Sequence, residues 1–169
     1  MIRIAFTGPE SSGKSTLAKA VSESMGGIYI EEFARTYLEK HGPEYSIDDL
    51  DIMADGHAKT ILERSEALQL VDTDFIVFKI WSEYKYGAAS PLIHRLVSEN
   101  WFRLHVLCAP DIPWESDKLR ENPDDRDALF VRYVETLEKL KKPYIIVEGT
   151  QEKRVKKVQA TIRDLERIL

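Results

Sequence analysis

A glycine-rich octet near the start of the chain, GPESSGKS at residues 8–15, is compatible with few local structures. It follows the apolar run IRIAF (2–6), which is typical of a buried strand, and it leads into a stretch from Lys14 to Met25 whose apolar spacing predicts a helix. Glycines let backbone N–H groups curl around an anion without Cβ clashes, and a helix N-terminus adds a partial positive charge. The octet therefore predicts an anion-binding turn between a strand and a helix.

The spacing Gly8-x-x-x-x-Gly13-Lys14-Ser15 matches the P-loop pattern, which binds nucleoside triphosphates. In that loop the lysine reaches the β- and γ-phosphates and the hydroxyl holds Mg²⁺, and we expect these roles for Lys14 and Ser15. The alternative, a glycine-rich turn that only caps a helix, does not explain strand, spacing and helix together. The expected nucleotide-binding residues of this loop are Gly8, Pro9, Glu10, Ser11, Ser12, Gly13, Lys14, Ser15 and Thr16.

The rest of the chain alternates strands with helices. Strands are predicted at 2–6, 28–30, 68–72, 102–108 and 144–149, and helices at 14–25, 32–41, 47–66, 79–87, 91–99, 128–140 and 151–168. This order predicts right-handed βαβ units in one α/β domain over residues 1–169, a three-layer P-loop fold with about five parallel strands. Ligands of such sheets bind at the carboxyl ends of the strands, so the residues that follow each strand are the candidates for function.

Composition excludes several classes of protein. The 169 residues carry a net charge of −5, which argues against nucleic acid as the main partner. No apolar stretch reaches the roughly 20 residues that span a bilayer, and no signal peptide is visible, so we expect a soluble, cytoplasmic protein without membrane partners. The single cysteine, Cys108, excludes an intramolecular disulfide. The four histidines show no metal-ligand spacing and receive no role.

Two glutamates follow the second strand in the segment YIEEFAR. A carboxylate here can orient a substrate hydroxyl against the γ-phosphate and accept its proton, so Glu31 and Glu32 are candidate catalytic residues, with Glu32 preferred. Arg35 lies one helical turn further and is a candidate to bind substrate or pair with these acids. The alternative is an acid favoured by the helix dipole with a surface arginine beside it.

Two aspartates lie at the end of the third strand, in VDTD. Asp72 is the preferred candidate for the Mg²⁺ ligand or the catalytic base, and Asp74 is the alternative, assigned to substrate. One of the two can instead cap a turn. Trp81 and Tyr84 come next, within one helical turn of each other. They are assigned to stack on a flat substrate ring, with core packing as the alternative.

The charged, proline-bearing segment at 109–127 is predicted to be a lid. Arg120 and Arg126 are its candidate cations for the charge that develops on the transferring phosphoryl group, with a solvated loop as the alternative. After the fifth strand, Gly149 permits close backbone approach to the nucleotide, and Arg154 either stacks on the base or lies on the surface.

A P-loop alone does not define a reaction. An Asn-Lys-x-Asp guanine-reading motif is absent, and a compact domain with a basic lid favours a phosphotransferase that acts on a small alcohol. Two alternatives stay open, a kinase of another nucleoside or small alcohol on the same scaffold and a nucleotide-switched binding protein with little turnover.

This chain resembles the kinase domain of NadR-type proteins over essentially its whole length. The resemblance rests on five segments that occur in the same order in that domain: GPESSGKS, EEFART, VDTD followed by Trp81, PDIPWESDKLRENPDDR and VEGTQEKR. The resemblance implies ATP- and Mg²⁺-dependent phosphorylation of the 5′-hydroxyl of nicotinamide riboside. It places Lys14 and Ser15 in the P-loop, Glu31, Glu32 and Arg35 in the E-F-A-R element, Asp72 and Asp74 at the end of the third strand, and Arg120 and Arg126 in the lid. The lid differs from the family pattern at Lys118, where a glycine is expected. The family's N-terminal nucleotidyltransferase signature is absent, so adenylyltransferase activity is not expected.

Overall fold

Five short strands alternate with seven helices in the computed structural model, which describes residues 1–116 and 124–167. The strands are β1 (Ile2–Thr7), β2 (Ile28–Ile30), β3 (Leu68–Asp72), β4 (Leu104–Cys108) and β5 (Tyr144–Val147). The helices are α1 (Lys14–Met25), α2 (Phe33–His41), α3 (Ile47–Leu62), α4 (Phe75–Tyr86), α5 (Pro91–Ser98), α6 (Arg126–Lys139) and α7 (Gln151–Arg167).

All five strands are parallel and lie in the order β2-β3-β1-β4-β5. The predicted five-stranded parallel α/β fold is therefore confirmed. Since β1 lies in the centre, the octet that follows it emerges in the middle of the carboxyl edge of the sheet. The segments after β3 and β4 flank the octet directly, because both strands pair with β1.

The sheet is covered on both faces, which is why its strands read as nearly continuous apolar runs. On one face, residues such as Phe6 and Leu70 pack against α1 and α7; on the other, Ala5 and Val71 pack against α3, α4 and α5. Within the part of the chain that the structure describes, no helix is both long and apolar enough to cross a bilayer.

Two helix boundaries differ from the predictions by four residues, and one of these differences has a clear local cause. Helix α4 begins at Phe75 rather than at 79, because the side chain of Asp74 accepts a hydrogen bond from the backbone N–H of Val77 and caps the helix. Helix α3 begins as predicted, with Ser46 and Asp49 forming a reciprocal capping box, but it ends at Leu62 rather than at 66.

Candidate nucleotide-binding site

The octet forms a tight loop between β1 and α1 that depends on Gly8. Gly8 has φ 127°, and a Cβ atom there would lie 2.7 Å from the backbone oxygen of Cys108 in β4. Any side chain at this position would therefore push the loop off the sheet. Burial raises the pKa of the Cys108 thiol to about 12, so this residue is a protonated core side chain rather than a nucleophile.

The ammonium group of Lys14 lies against the loop that precedes it. Its Nζ donates to the backbone oxygens of Gly8 at 3.0 Å and Pro9 at 2.8 Å. The Ser12 hydroxyl also donates to the Pro9 oxygen, at 2.8 Å, which closes the turn. The structure thus places one fixed positive charge at the N-terminus of α1, the position that suits the terminal phosphates of a nucleotide.

A cavity of about 430 Å³ opens in front of this loop and extends along the carboxyl edge of the sheet. Its first half is lined by Glu10 to Thr16, by Ile112 and Glu115, and by Gly149, Thr150, Gln151 and Arg154. Its second half is lined by Glu32, Ala34, Arg35, Leu38, Tyr45, Leu50, Met53, Val77, Phe78 and Trp81. A polar, glycine-rich half therefore joins a mainly apolar and aromatic half, and the volume is in the range of small-molecule sites.

Glu32 lies where the two halves of the cavity meet, and Glu31 does not. Glu32 lines the cavity at the N-cap of α2, whereas Glu31 is exposed. Burial raises the pKa of Glu32 to about 7, and the negative charge of Asp72 contributes to this rise against the opposing effects of Lys14 and Arg35. Glu32 therefore has both the location and the proton affinity of a group that accepts a proton near neutral pH.

Asp72 lies at the end of β3 and is buried, with 2% of its surface exposed. Its Oδ2 accepts a hydrogen bond of 2.9 Å from the hydroxyl of Tyr29. Its Oδ1 is buried without a hydrogen-bond partner among residues 1–116 and 124–167. A buried carboxylate oxygen without a partner next to a P-loop fits a divalent cation, because Mg²⁺ prefers oxygen ligands.

Neither aspartate lines the cavity, and Asp74, which the sequence assigned to substrate, is engaged in core contacts through both of its oxygens. It is fully buried, and its Oδ1 accepts from the Thr7 hydroxyl at 2.9 Å and from the Val77 N–H at 3.0 Å. Its Oδ2 lies 2.8 Å from Nδ1 of His105. Of the two aspartates, Asp74 is therefore the one that caps a helix, which is the alternative that the sequence left open.

The two aromatic residues predicted to stack on a flat ring differ in their position relative to the cavity. Trp81 lines the apolar half of the cavity, but Tyr84 lies outside it, and the hydroxyl of Tyr84 donates to Asp125. Trp81 and Tyr84 are neighbours on the surface of α4, but only Trp81 lines this cavity, so the cavity does not support the assignment of Tyr84 to substrate. Tyr45 and Phe78 line the same half as Trp81, and sequence reasoning missed both.

Arg154 is neither a surface residue nor a side chain free to stack on a base. It is 2% exposed, and its guanidinium donates to the backbone oxygens of Ser12 at 2.7 Å, Ala109 at 3.1 Å and Gly149 at 3.1 Å. It also pairs with Asp111, whose other oxygen accepts from the Gly149 N–H at 2.5 Å. Arg154 therefore connects the P-loop to the segments after β4 and β5.

Arg126 holds the beginning of the predicted lid against the same loop. Its Nη1 donates to the backbone oxygens of Ser11 at 3.2 Å and Ile112 at 3.0 Å, and its guanidinium lies 5.7 Å from the ring centroid of Trp114. The N–H of Glu115 donates to the Ser11 hydroxyl at 2.9 Å. Residues 112–115 therefore rest on the P-loop. Arg120, the other predicted lid cation, lies outside the described residues.

No group of three or more His, Cys, Asp or Glu residues is arranged to hold a metal ion in the described ranges 1–116 and 124–167. A divalent cation at this site would instead rely on Ser15, on Asp72 and on phosphate oxygens, which is the usual way in which proteins bind Mg²⁺ with nucleotides. The residues present fit that group.

The parallel sheet, the P-loop after its central strand and the buried acid after the neighbouring strand define a P-loop protein with the architecture of nucleoside and nucleotide kinases. Residues 3–154 match the family model AAA_28, described as an AAA domain, and the chain belongs to that family.

Two curated relatives are similar in sequence. The chain is 30% identical over 154 residues to the trifunctional NAD biosynthesis/regulator protein NadR of Escherichia coli, with 86% of this chain and 38% of that protein covered. It is 32% identical over 143 residues to the NadR of Salmonella typhimurium, with 79% of this chain and 35% of that protein covered. The chain thus spans little more than a third of the length of these relatives.

Solved structures share the fold. A NadR protein in complex with NR superposes with a TM-score of 0.69 at 20% identity, over 88% of this chain and 46% of that chain. A deoxyadenosine kinase from M. mycoides superposes with a TM-score of 0.69 at 14% identity, over 97% of this chain and all of that one.

The contacts of Arg154 predict a large loss of stability on its removal. In Arg154→Ala three backbone oxygens lose their donor and the Asp111 carboxylate, whose side chain is 39% exposed, loses its partner. We therefore expect the free energy of unfolding to fall by roughly 1–3 kcal/mol, the cost of leaving buried acceptors unpaired. Lysine at this position should not restore it, because it lacks the planar fork. Urea unfolding measures the effect, and exposed Arg163→Ala in the same helix is the matched control. Equal unfolding midpoints for the two variants would show that the contacts of Arg154 do not stabilise the fold.

The raised pKa of Glu32 predicts that this residue lowers the stability of the fold above neutral pH while it contributes to catalysis. Between pH 4.5, the ordinary pKa of a glutamate, and about 7, the folded protein retains a proton that the unfolded chain releases. The free energy of unfolding due to this group therefore decreases as pH rises through this window.

We expect Glu32→Gln to lack this decrease, to be more stable than wild type at pH 8, and to have a lower kcat. Urea unfolding of both proteins at pH 5 and pH 8 measures the difference, and Glu31→Gln, at an exposed position, should match wild type. A lower stability of Glu32→Gln than of wild type at pH 8 would contradict the account.

Proposed function

We propose that this chain is an ATP-dependent kinase of a small nucleoside, with the 5′-hydroxyl of nicotinamide riboside as the acceptor. The observation that carries the proposal is one continuous cavity with a P-loop in one half, an aromatic chamber in the other, and Glu32 where they meet. A nucleotide switch needs only the first half. A kinase needs both, because donor and acceptor must be bound side by side.

The first half of the cavity suits the phosphate donor. The P-loop backbone and Lys14 would bind the β- and γ-phosphates, with the nucleotide base toward Gly149 and Gln151. Ser15 and Asp72 would hold Mg²⁺, which neutralises phosphate charge when it is bound.

The second half suits a flat, uncharged or delocalised ring with a ribose. Trp81 and Phe78 from α4 and Tyr45 from the α2–α3 connection give it aromatic walls. The Nζ of Lys85 lies 3.7 Å from the ring centroid of Tyr45, and the hydroxyl of Tyr86 donates to the Tyr45 backbone oxygen at 2.5 Å. These contacts hold Tyr45 in place on the wall of the chamber.

The chemistry then follows from the position of Glu32 between the two halves. The bond between the γ-phosphorus and the oxygen of the ADP leaving group breaks, a bond from phosphorus to the acceptor oxygen forms, and the hydroxyl proton passes to the Glu32 carboxylate. Arg35 lines the cavity beside Glu32 and supplies positive charge there. Glu31 is exposed and is given no catalytic step in this proposal.

The likeness to NadR proteins supports nicotinamide riboside over other acceptors. The curated relatives are named for NAD biosynthesis, and the NadR structure of the same fold is a complex with NR. Because a deoxyadenosine kinase has a similar fold, a different nucleoside is the main alternative acceptor.

A panel of acceptors tests the proposal directly. With purified protein and MgATP, ADP release should depend on an added nucleoside and should be fastest with nicotinamide riboside, ahead of adenosine, deoxyadenosine, thymidine and shikimate. Faster release with another nucleoside would replace the acceptor. Slow release whatever is added would favour a nucleotide-switched protein.

The aromatic chamber predicts which substitution weakens binding of the acceptor nucleoside. Trp81→Ala should raise KM for the nucleoside about tenfold or more, on the scale of roughly 1–3 kcal/mol for stacking of a base on an aromatic side chain, with KM for ATP unchanged. Tyr84→Ala, in the same helix but outside the cavity, is the matched control and should behave as wild type. Equal effects of the two substitutions on KM would contradict the assignment of the chamber.

A further inference from the structure

The hydroxyl group of Tyr29 connects the edge strand β2 to Asp72. In the parallel register Tyr29 lies opposite Leu70, and its hydroxyl donates to Oδ2 of Asp72, two residues further along β3, at 2.9 Å. The half-buried ring of Tyr29 thus runs along the sheet surface toward the carboxyl edge, where the P-loop lies.

This contact lies directly beneath the P-loop helix. Side chains alternate along a strand, so Leu70 and Asp72 share the face that packs against α1. The Nζ of Lys19 in α1 lies 5.1 Å from the ring centroid of Tyr29. Ser15 lies four residues before Lys19, on the same side of the helix, so the Ser15 hydroxyl is on the side of α1 that faces Tyr29 and Asp72.

The two oxygens of the Asp72 carboxylate therefore have different surroundings. Oδ2 is occupied by Tyr29, while Oδ1 is buried without a hydrogen-bond partner among the residues that the structure describes. A carboxylate held by one hydrogen bond cannot turn without losing it, and leaving a buried acceptor unpaired is costly. The tyrosine thus fixes which oxygen remains for another ligand.

We propose that Tyr29 is a positioning residue for metal binding: its hydroxyl holds the Asp72 carboxylate so that Oδ1 serves the divalent cation shared with Ser15 and the nucleotide. This inference rests on the proposed function, in which Asp72 contributes to the metal site. Partners that orient a metal ligand typically affect metal affinity by roughly 10–100-fold, so the hydroxyl alone should have a measurable effect.

Tyr29→Phe tests the inference, since it removes the hydroxyl and keeps the ring beneath Lys19. The quantity to measure is the affinity for the non-hydrolysable analogue AMP-PNP, once with Mg²⁺ and once with EDTA. We expect the gain in affinity that Mg²⁺ provides to fall on the order of tenfold, with the affinity in EDTA unchanged. The kcat with nicotinamide riboside should return close to the wild-type value at high Mg²⁺ concentration.

The matched control is Tyr144→Phe, which removes another tyrosine-to-carboxylate hydrogen bond, from Tyr144 to Glu138 at 3.1 Å, on the surface and far from the P-loop. It should leave the Mg²⁺ effect unchanged. If Tyr29→Phe also leaves it unchanged, or if Tyr29→Phe lowers only the thermal stability, the hydroxyl has a purely structural role and the inference is overturned.

Asp72→Asn and the double variant separate this inference from the function on which it rests. If Tyr29 acts through Asp72, Tyr29→Phe adds no further loss of the Mg²⁺ effect in the Asp72→Asn background. If Asp72→Asn loses the Mg²⁺ effect and Tyr29→Phe does not, only the positioning role fails. If Asp72→Asn keeps the full Mg²⁺ effect, Asp72 is not a metal ligand and that part of the proposed function fails.

Discussion

The turn from β1 into α1 is the constraint on which the rest of this structure depends. A loop that offers its N–H groups to an anion cannot also be held in place through them. Arg154 and Arg126 solve this problem, because they bind the loop through the backbone oxygens of Ser12 and Ser11 and arginine has only donors to offer. The same two side chains bind the segments after β4 and β5, so the nucleotide half of the cavity is fixed as one unit.

The neighbouring strand end brings acidic groups to the same edge and holds them rigidly. Thr73, between the two aspartates, has φ 77°, a conformation that β-branched residues rarely adopt and that costs roughly 1–3 kcal/mol. It is held by a hydrogen bond from its N–H to the Phe6 oxygen at 3.0 Å and by His57, whose Nε2 lies 3.1 Å from its carbonyl oxygen. Asp74 caps α4 from the next position. The strained turn sends Asp72 toward the P-loop and Asp74 into the core.

Sequence patterns predicted the features of the structure that are set by the local order of residues and by position at the end of a strand. The P-loop, the parallel sheet and the location of Glu32 and Trp81 on the cavity wall follow from glycine spacing, from alternation of strands and helices, and from the rule that ligands bind at carboxyl edges. Sequence could not assign Asp74, Tyr84 or Arg154, because an acid after a strand, an aromatic on a helix and an arginine after a loop have the same pattern whether they face a ligand or the core. Tyr29 and His105 carry no local signal, since their partners are 43 and 31 residues away.

The central claim is that this site transfers a phosphoryl group to a nucleoside rather than to water. A single turnover with excess protein, [γ-³²P]ATP, Mg²⁺ and nicotinamide riboside tests it most directly, with the products separated and the label counted. We expect the label to appear in a mononucleotide phosphorylated on the 5′-oxygen, and we expect Lys14→Ala to abolish this transfer. Label found only in inorganic phosphate, or retained in bound ATP whether or not the nucleoside is present, would contradict the account.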